Sequence, residues 1–308
     1  MKKSLYFIFF MLVSGSLKSQ QLTQYSQWST NHFALNPAHA GIKNCLEVHS
    51  LVRMQWVGFD GAPKSGFFNL SLPLPSKRTH FLSARHGFGI RFEADQIGPY
   101  FTNRYGIAYA AHFNFSQTTR LSLGINVGMV QFGYDASKST TILPDPTISK
   151  ELSLTLPDAS FGAWWNGENY YVGLVMNNLL RSRWEDFGTD SRFRIHTYLY
   201  GGTRFKLSDK ITLLPAALLK IPPYGPVAID IQGMFDFQKR MNFGVGWRNT
   251  DAVILFAGVK VNPRFTVNYS ADIVMSAINN QARSSHEISL IFSGCVPENT
   301  GTLKCPLF

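Results

Sequence analysis

The side chains best able to do chemistry in this chain are eight histidines, three cysteines and a thin set of acids, 19 Asp and Glu among 308 residues. A hydrolase needs a nucleophile, a base and an orienting carboxylate in mutual reach. The histidines are dispersed and no serine stands in a Gly-x-Ser-x-Gly turn, so no triad is legible. His286-Glu287 has the residue types of an acid–base pair, yet at the start of an alternating segment it is better read as an interfacial or lumen pair. No Cys or His pair has zinc spacing, and no acidic loop has a calcium pattern. Gly87-Phe88-Gly89 is too short to cradle phosphate, and strand glycines facing a crowded interior explain it better. The expectation is a protein that is not an enzyme and carries no cofactor or metal.

Cysteine chemistry is the remaining option. Cys295 and Cys305 lie in a Pro- and Gly-containing tail, and in an oxidising compartment they would close a small loop worth roughly 2–3 kcal/mol. Two free thiols are the equal alternative. Cys45 is then left over, a quiet buried thiol rather than a reactive one.

An oxidising compartment follows from the start of the chain. Lys2 and Lys3 precede an apolar stretch, Leu5 to Val13, and a small, polar region to Gln20, the plan of a secretory signal peptide over residues 1–20 cleaved near Ser19 or Gln20. No Cys follows at a lipoprotein position. Loss of Lys2, Lys3 and Lys18 lowers the formal charge from +10 to about +7, spread along the chain, and an exported protein meets little nucleic acid, so no nucleic-acid partner is expected. Beyond residue 20 no run of about 20 apolar residues occurs, which excludes spanning helices.

What remains is alternation. Leu121, Leu123, Ile125, Val127 and Met129 are apolar, while Ser122, Gly124, Asn126 and Gly128 fall between them; Phe265 to Ile273, Tyr105 to Phe113 and Val227 to Phe237 repeat the pattern. Strand side chains point to opposite faces, and a wall with oil on one side and an enclosed interior on the other imposes this order. The runs approach ten residues, enough for a tilted strand to cross a bilayer. The fold class expected is all-β, a transmembrane antiparallel barrel of about 14 strands. Candidate strands fall at 46–57, 65–72, 83–95, 100–115, 119–134, 158–166, 169–177, 193–207, 211–221, 226–237, 240–249, 251–261, 264–274 and 285–292.

Connection lengths orient the barrel, because outer-membrane barrels keep short turns on the periplasmic side. With residues 21–45 as a periplasmic N-terminal segment, the barrel over 46–292 and a periplasmic tail over 293–308, the turns at 116–118, 166–169, 208–210, 238–240 and 262–263 become periplasmic. The long connections 135–157, 178–192 and 275–284 become external, whereas 73–82 and 249–250 break the rule. Aromatics near strand ends, such as Tyr100, Phe101, Trp164, Trp165, Tyr170, Tyr171 and Trp247, suit interfacial girdles. Arg53 and Gln55 should face the lumen together, with Arg53 paired to an interior acid such as Asp230 or Asp236.

Three stretches carry a resemblance. Tyr25-Ser26-Gln27-Trp28 running into Leu35-Asn36-Pro37-Ala38-His39-Ala40-Gly41, then Arg53 to Lys64 with Gln55, Trp56 and Gly58, and finally Ser284 to Leu290 with His286 and Glu287, resemble the signature of the PorP/SprF family of Bacteroidota. Where the family usually has an aromatic and Thr, this chain has His39 and Ser65. The resemblance implies an outer-membrane protein of type IX secretion and gliding motility. Its implied partners are outer-membrane lipid, a secreted adhesin or its C-terminal domain held at the cell surface, and other type IX secretion components. A passive channel for small solutes is the alternative. Independently of the family, Asn36-Pro37 suits a turn and Gly41 a conformation other residues resist, so the segment should fold against or plug the periplasmic mouth.

Overall fold

Period-two alternation produces a closed antiparallel wall. The computed structural model describes residues 22–75, 83–116, 118–138, 152–183, 191–249, 251–276 and 284–295. Residues 1–21, which include the expected signal peptide, and the tail beyond 295, with Cys305, lie outside the described residues. In chain order the strands are β1 (Glu47–Met54), β2 (Lys64–Pro73), β3 (Arg85–Ile97), β4 (Tyr100–Asn114), β5 (Arg120–Tyr134), β6 (Leu152–Asn166) and β7 (Tyr170–Asn177). Then come β8 (His196–Thr203), β9 (Phe205–Lys206), β10 (Ile211–Ile221), β11 (Ala228–Phe237), β12 (Met241–Arg248), β13 (Ala252–Lys260), β14 (Phe265–Val274) and β15 (Ser284–Ser293). Sequence neighbours pair throughout, and β1 pairs with β15 to close the ring. The segments β8 and β9 share one wall position, broken at Arg204, whose N–H turns to Asn169 O at 2.7 Å, so the barrel has fourteen positions. Among the described residues no helix is long and apolar enough to cross a membrane.

Two of the strand boundaries that differ from the sequence reading have a plain cause. β1 stops at Met54 because Trp56 takes φ 51° and Gln55 N–H bonds Pro63 O at 2.9 Å, which opens a turn. β6 starts at Leu152 rather than 158, and Pro157 is tolerated there because β7 pairs only as far as Phe161 and the ladder on that side needs no N–H from residue 157.

The two faces are sorted as a membrane wall requires. Leu123, Ile125, Val127 and Met129 stand exposed on the outside, whereas Arg120, Ser122 and Gly124 are buried inside. The aromatics divide: Trp165, Tyr170 and Trp247 face outward, but Trp164 and Tyr171 face inward and stack at 4.6 Å. Two of the seven expected girdle aromatics are therefore core.

The disulfide also differs. Cys295 pairs with Cys45, not Cys305, at a Cα separation of 5.1 Å. Ring closure is the cause, because the residues just before β1 and just after β15 meet wherever the first and last strands pair. A crosslink between residues 250 positions apart removes chain entropy worth roughly 5 kcal/mol at most. Replacing Cys45 with Ser should lower the temperature at which the unboiled barrel loses its folded gel mobility by about 10 °C. An unchanged midpoint would discount the staple.

Candidate functional site, a latched plug in the lumen

Residues 22–45 fill the barrel. The disulfide, the end of β15 and the turns after β2, β4, β6, β9, β11 and β13 mark one rim, here the terminal rim; the opposite one is the far rim. From Leu22, beside the far-rim residues Tyr100 and Phe193, the segment descends through a 3-10 turn (Trp28–Thr30), one α-helical turn (His32–Leu35) and a second 3-10 turn (Pro37–His39) to Cys45 at the terminal rim. It runs deeper than the mouth at which the sequence placed it.

Its upper half is tied to an ionic cluster. Arg53 bonds Glu287, and reaches Asp272 at 2.8 Å. Arg248 reaches Asp272 at 3.4 Å and Asp230 at 3.3 Å, and Lys220 reaches Asp230 at 2.9 Å. Three cations thus face three acids, all buried, on β1, β10, β11, β12, β14 and β15. The plug inserts into this cluster. Glu287 accepts the backbone N–H of Ser26 at 2.6 Å and of Gln27 at 3.0 Å, while Ser26 Oγ donates to Asp272 at 2.8 Å and accepts from Arg53 and Arg248, each at 3.0 Å. Gln232 Nε2 donates to Ser26 O at 2.6 Å, and Ser289 Oγ to Gln27 Oε1 at 2.7 Å. Buried charges persist only when paired and hydrogen-bonded, so wall and plug satisfy each other.

The lower half is clamped by backbone contacts. Asn36 caps Ala38 N–H at 2.8 Å and donates to Ala163 O at 3.0 Å. Gly41, at φ 61°, donates its N–H to Ser71 Oγ at 2.7 Å. His112 Nε2 reaches Ala40 O at 2.9 Å, and Arg85 and Arg120 both donate to Ile42 O. Close approach requires missing side chains in the wall: a Cβ on Gly124 would fall on the Pro37–Ala38 backbone, and one on Gly87 on Ala40 O. The Gly87-Phe88-Gly89 triplet makes room for the plug.

Between these halves Trp28 packs edge-on to Tyr200, and His32 sits against the stacked pair Trp164 and Tyr171, 4.9 Å from each. Burial pushes the His32 imidazole down to about 3, with the Lys43 charge adding a smaller push the same way. The undocked plug, near the ordinary value of 6.5, binds more protons than the docked one between these limits. Docking stability is therefore full above about pH 6.5 and falls below it, by up to about 1.4 kcal/mol per pH unit. Protease protection of the plug should hold from pH 8 to 7 and weaken from pH 6 to 4; a flat profile would contradict this.

The sequence-predicted residues are thus distributed over one device. Asn36, Pro37 and Gly41 form the lower clamp, and Arg53 and Glu287 the upper latch. Gln55, Trp56 and Gly58 shape the far-rim turn, where Trp56 N–H bonds Ser285 Oγ at 3.1 Å. The partner expected for Arg53 is corrected: Asp230 serves Lys220 and Arg248, Asp236 is half-buried near the terminal rim, and Glu287 with Asp272 takes Arg53. Register explains this, since Arg53 and Glu287 are direct cross-strand partners in β1–β15. His286 and Glu287 point to opposite faces, and His286 bonds Tyr269 OH at 2.6 Å outside. Sequence reasoning missed Ser26 and Gln27 as latch residues and Asp272, Arg248 and Lys220 as cluster members. Their common signal was parity, each strand member lying on the lumen-facing set. Among the described residues no group of three His, Cys, Asp or Glu side chains could hold a metal.

The upper half of the plug leans on the β10–β1 wall and leaves space opposite. A cavity of about 120 Å³ lies against Asn69, Arg91, Glu93, Arg104 and Asn126, and one of about 180 Å³ opens near Leu22, Asp95, Phe132 and Phe193 at the far rim.

A barrel whose three motif stretches lock plug to wall matches, over residues 17–292, the family described as type IX secretion system membrane protein PorP/SprF. The chain belongs to the PorP/SprF family. It is an outer-membrane barrel. No curated protein matches this PorP/SprF chain. Among solved structures it is similar to the CymD monoaromatic hydrocarbon channel, with TM-score 0.52 and 10% identity over 90% of this chain and 94% of that one. A Pseudomonas aeruginosa FadL homologue gives TM-score 0.45 and 12% identity over 84% and 91%, and Acinetobacter baumannii Omp33 gives 0.45 and 10% over 82% and 99%. At such identity the CymD likeness speaks of the barrel fold alone, and the lower two scores carry no argument. Family and structural neighbours are secretion and transport barrels rather than enzymes.

Proposed function

We propose that this PorP/SprF protein assists type IX secretion by holding adhesin-type cargo non-covalently at the far rim, which faces the cell exterior, while the terminal rim faces the periplasm. The observation that carries the reading is the occupied lumen: a plug bound by six buried charges makes a scaffold, not an open pore. The connection lengths support the orientation, since four of the terminal-rim turns span only a few residues. The cavity above Leu22 offers a concave, part-aromatic surface to a cargo domain. Deleting the gene should reduce cell-surface adhesin, and the purified barrel should pass little steady current in planar bilayers. Unchanged display of every type IX substrate would overturn the cargo reading.

The passive channel remains the second reading because the cavity beside Asn69 and Asn126 is also bordered by Arg91, Glu93 and Arg104. It predicts steady ohmic conductance from the native protein.

A further inference from the structure

Six exposed cations crowd one arc of the terminal rim. Lys206 and Lys210 flank the β9–β10 turn, Lys239 and Arg240 occupy the β11–β12 turn, and Lys260 and Arg264 flank the β13–β14 turn. The turns touch one another: Gln238 N–H donates to Lys210 O at 2.7 Å, Lys260 N–H to Arg240 O at 2.7 Å, and Ser293 N–H to Arg264 O at 2.8 Å. The arc is therefore continuous from β9 to the end of β15. Two acids accompany it, Asp209, bridged to Lys206 at 2.9 Å, and the half-buried Asp236. Across the same rim, the described residues of the β4–β5 and β6–β7 turns show no exposed cation and one acid, Glu168.

Basic side chains at a membrane interface often reach to lipid headgroups, but register argues against that occupant. Lipid touches the outward set of each strand. Lys206, opposite Thr212, and Lys260, opposite Thr266, belong to the lumen-facing set, and Lys210, Lys239, Arg240 and Arg264 ride on turn tips beyond the ladder. These charges are offered to the aqueous side. The chain's own last thirteen residues carry one Glu and one Lys, too little to neutralise the arc.

We propose that this arc is a docking surface for an acidic polypeptide segment of a partner protein on the side where β15 ends. A field of one sign steers and orients such a partner. The inference concerns the rim opposite the cargo mouth and stands whether or not the cargo reading does.

The test uses the full chain in nanodiscs of zwitterionic lipid and a fluorescent poly-glutamate peptide as probe. The variant K210Q/K239Q/R240Q/R264Q removes four arc cations, and K64Q/K138Q/R181Q/R183Q removes four exposed cations from the far rim, so both lose the same net charge. The arc variant should bind the probe about 30-fold more weakly at 0.1 M salt, and the far-rim variant within about threefold of native. Equal losses in both variants, or no binding by the native barrel, would overturn the proposal. So would probe binding abolished by adding phosphatidylglycerol to the nanodisc, which would assign the arc to lipid.

Discussion

Replacing Glu287 with Ala should turn a barrel that passes little current into one that conducts. Glu287 is fully buried, accepts the N–H groups of Ser26 and Gln27, and balances Arg53. Its removal leaves two orphaned plug amides and an under-compensated guanidinium, a loss of about 3–5 kcal/mol from the docked state, or roughly a hundredfold or more in the docked-to-released ratio. Planar-bilayer recordings should show frequent openings, and protease should cut within residues 22–45. Glu287→Gln keeps an acceptor and should fall between. The double change Arg53→Met with Glu287→Leu removes both buried charges and should be milder than Glu287→Ala alone. If Glu287→Ala folds, stays silent and keeps its plug protected, the latch does not hold the plug.

Introducing Val at Gly124 should expel the lower clamp. No side-chain rearrangement relieves it, because the obstacle is plug backbone at Pro37–Ala38. The plug must move or the strand must bend, and overpacking of this kind costs about 1–3 kcal/mol or more. The expected result is a folded barrel with raised conductance and a plug open to protease near Asn36. Gly233 provides the control: nothing lies within 4 Å of a Cβ built there, so Gly233→Ala should leave both readouts unchanged. Equal behaviour of the two variants would dismiss close packing as the reason for glycine at 124.

The latch and the clamp differ in what they can tolerate. The clamp engages backbone through Asn36, Ser71, His112 and Arg85, so its demand is shape. The latch engages charges, so its demand is pairing. Removing one charge is worse than removing two, whereas adding one methyl group to the clamp wall is enough to break it.

Much of this protein was legible before any coordinates. Alternation at residues 121–129 and 265–273 determined a wall with two faces, and no tertiary contact is needed to deduce it, because pleating sends neighbouring side chains to opposite sides. The motif stretches at 25–41, 53–64 and 284–290 determined the family. Four matters were decided only in three dimensions. Glu287 and Asp272 take Arg53, Cys45 takes Cys295, Trp164 and Tyr171 are core rather than girdle, and Ser26 with Gln27 joins the plug to the cluster. Each depends on how the ring closes and on which strands then face one another across the lumen. A linear pattern of period two fixes the side on which a residue lies, but it holds no information about the partner waiting on the opposite wall.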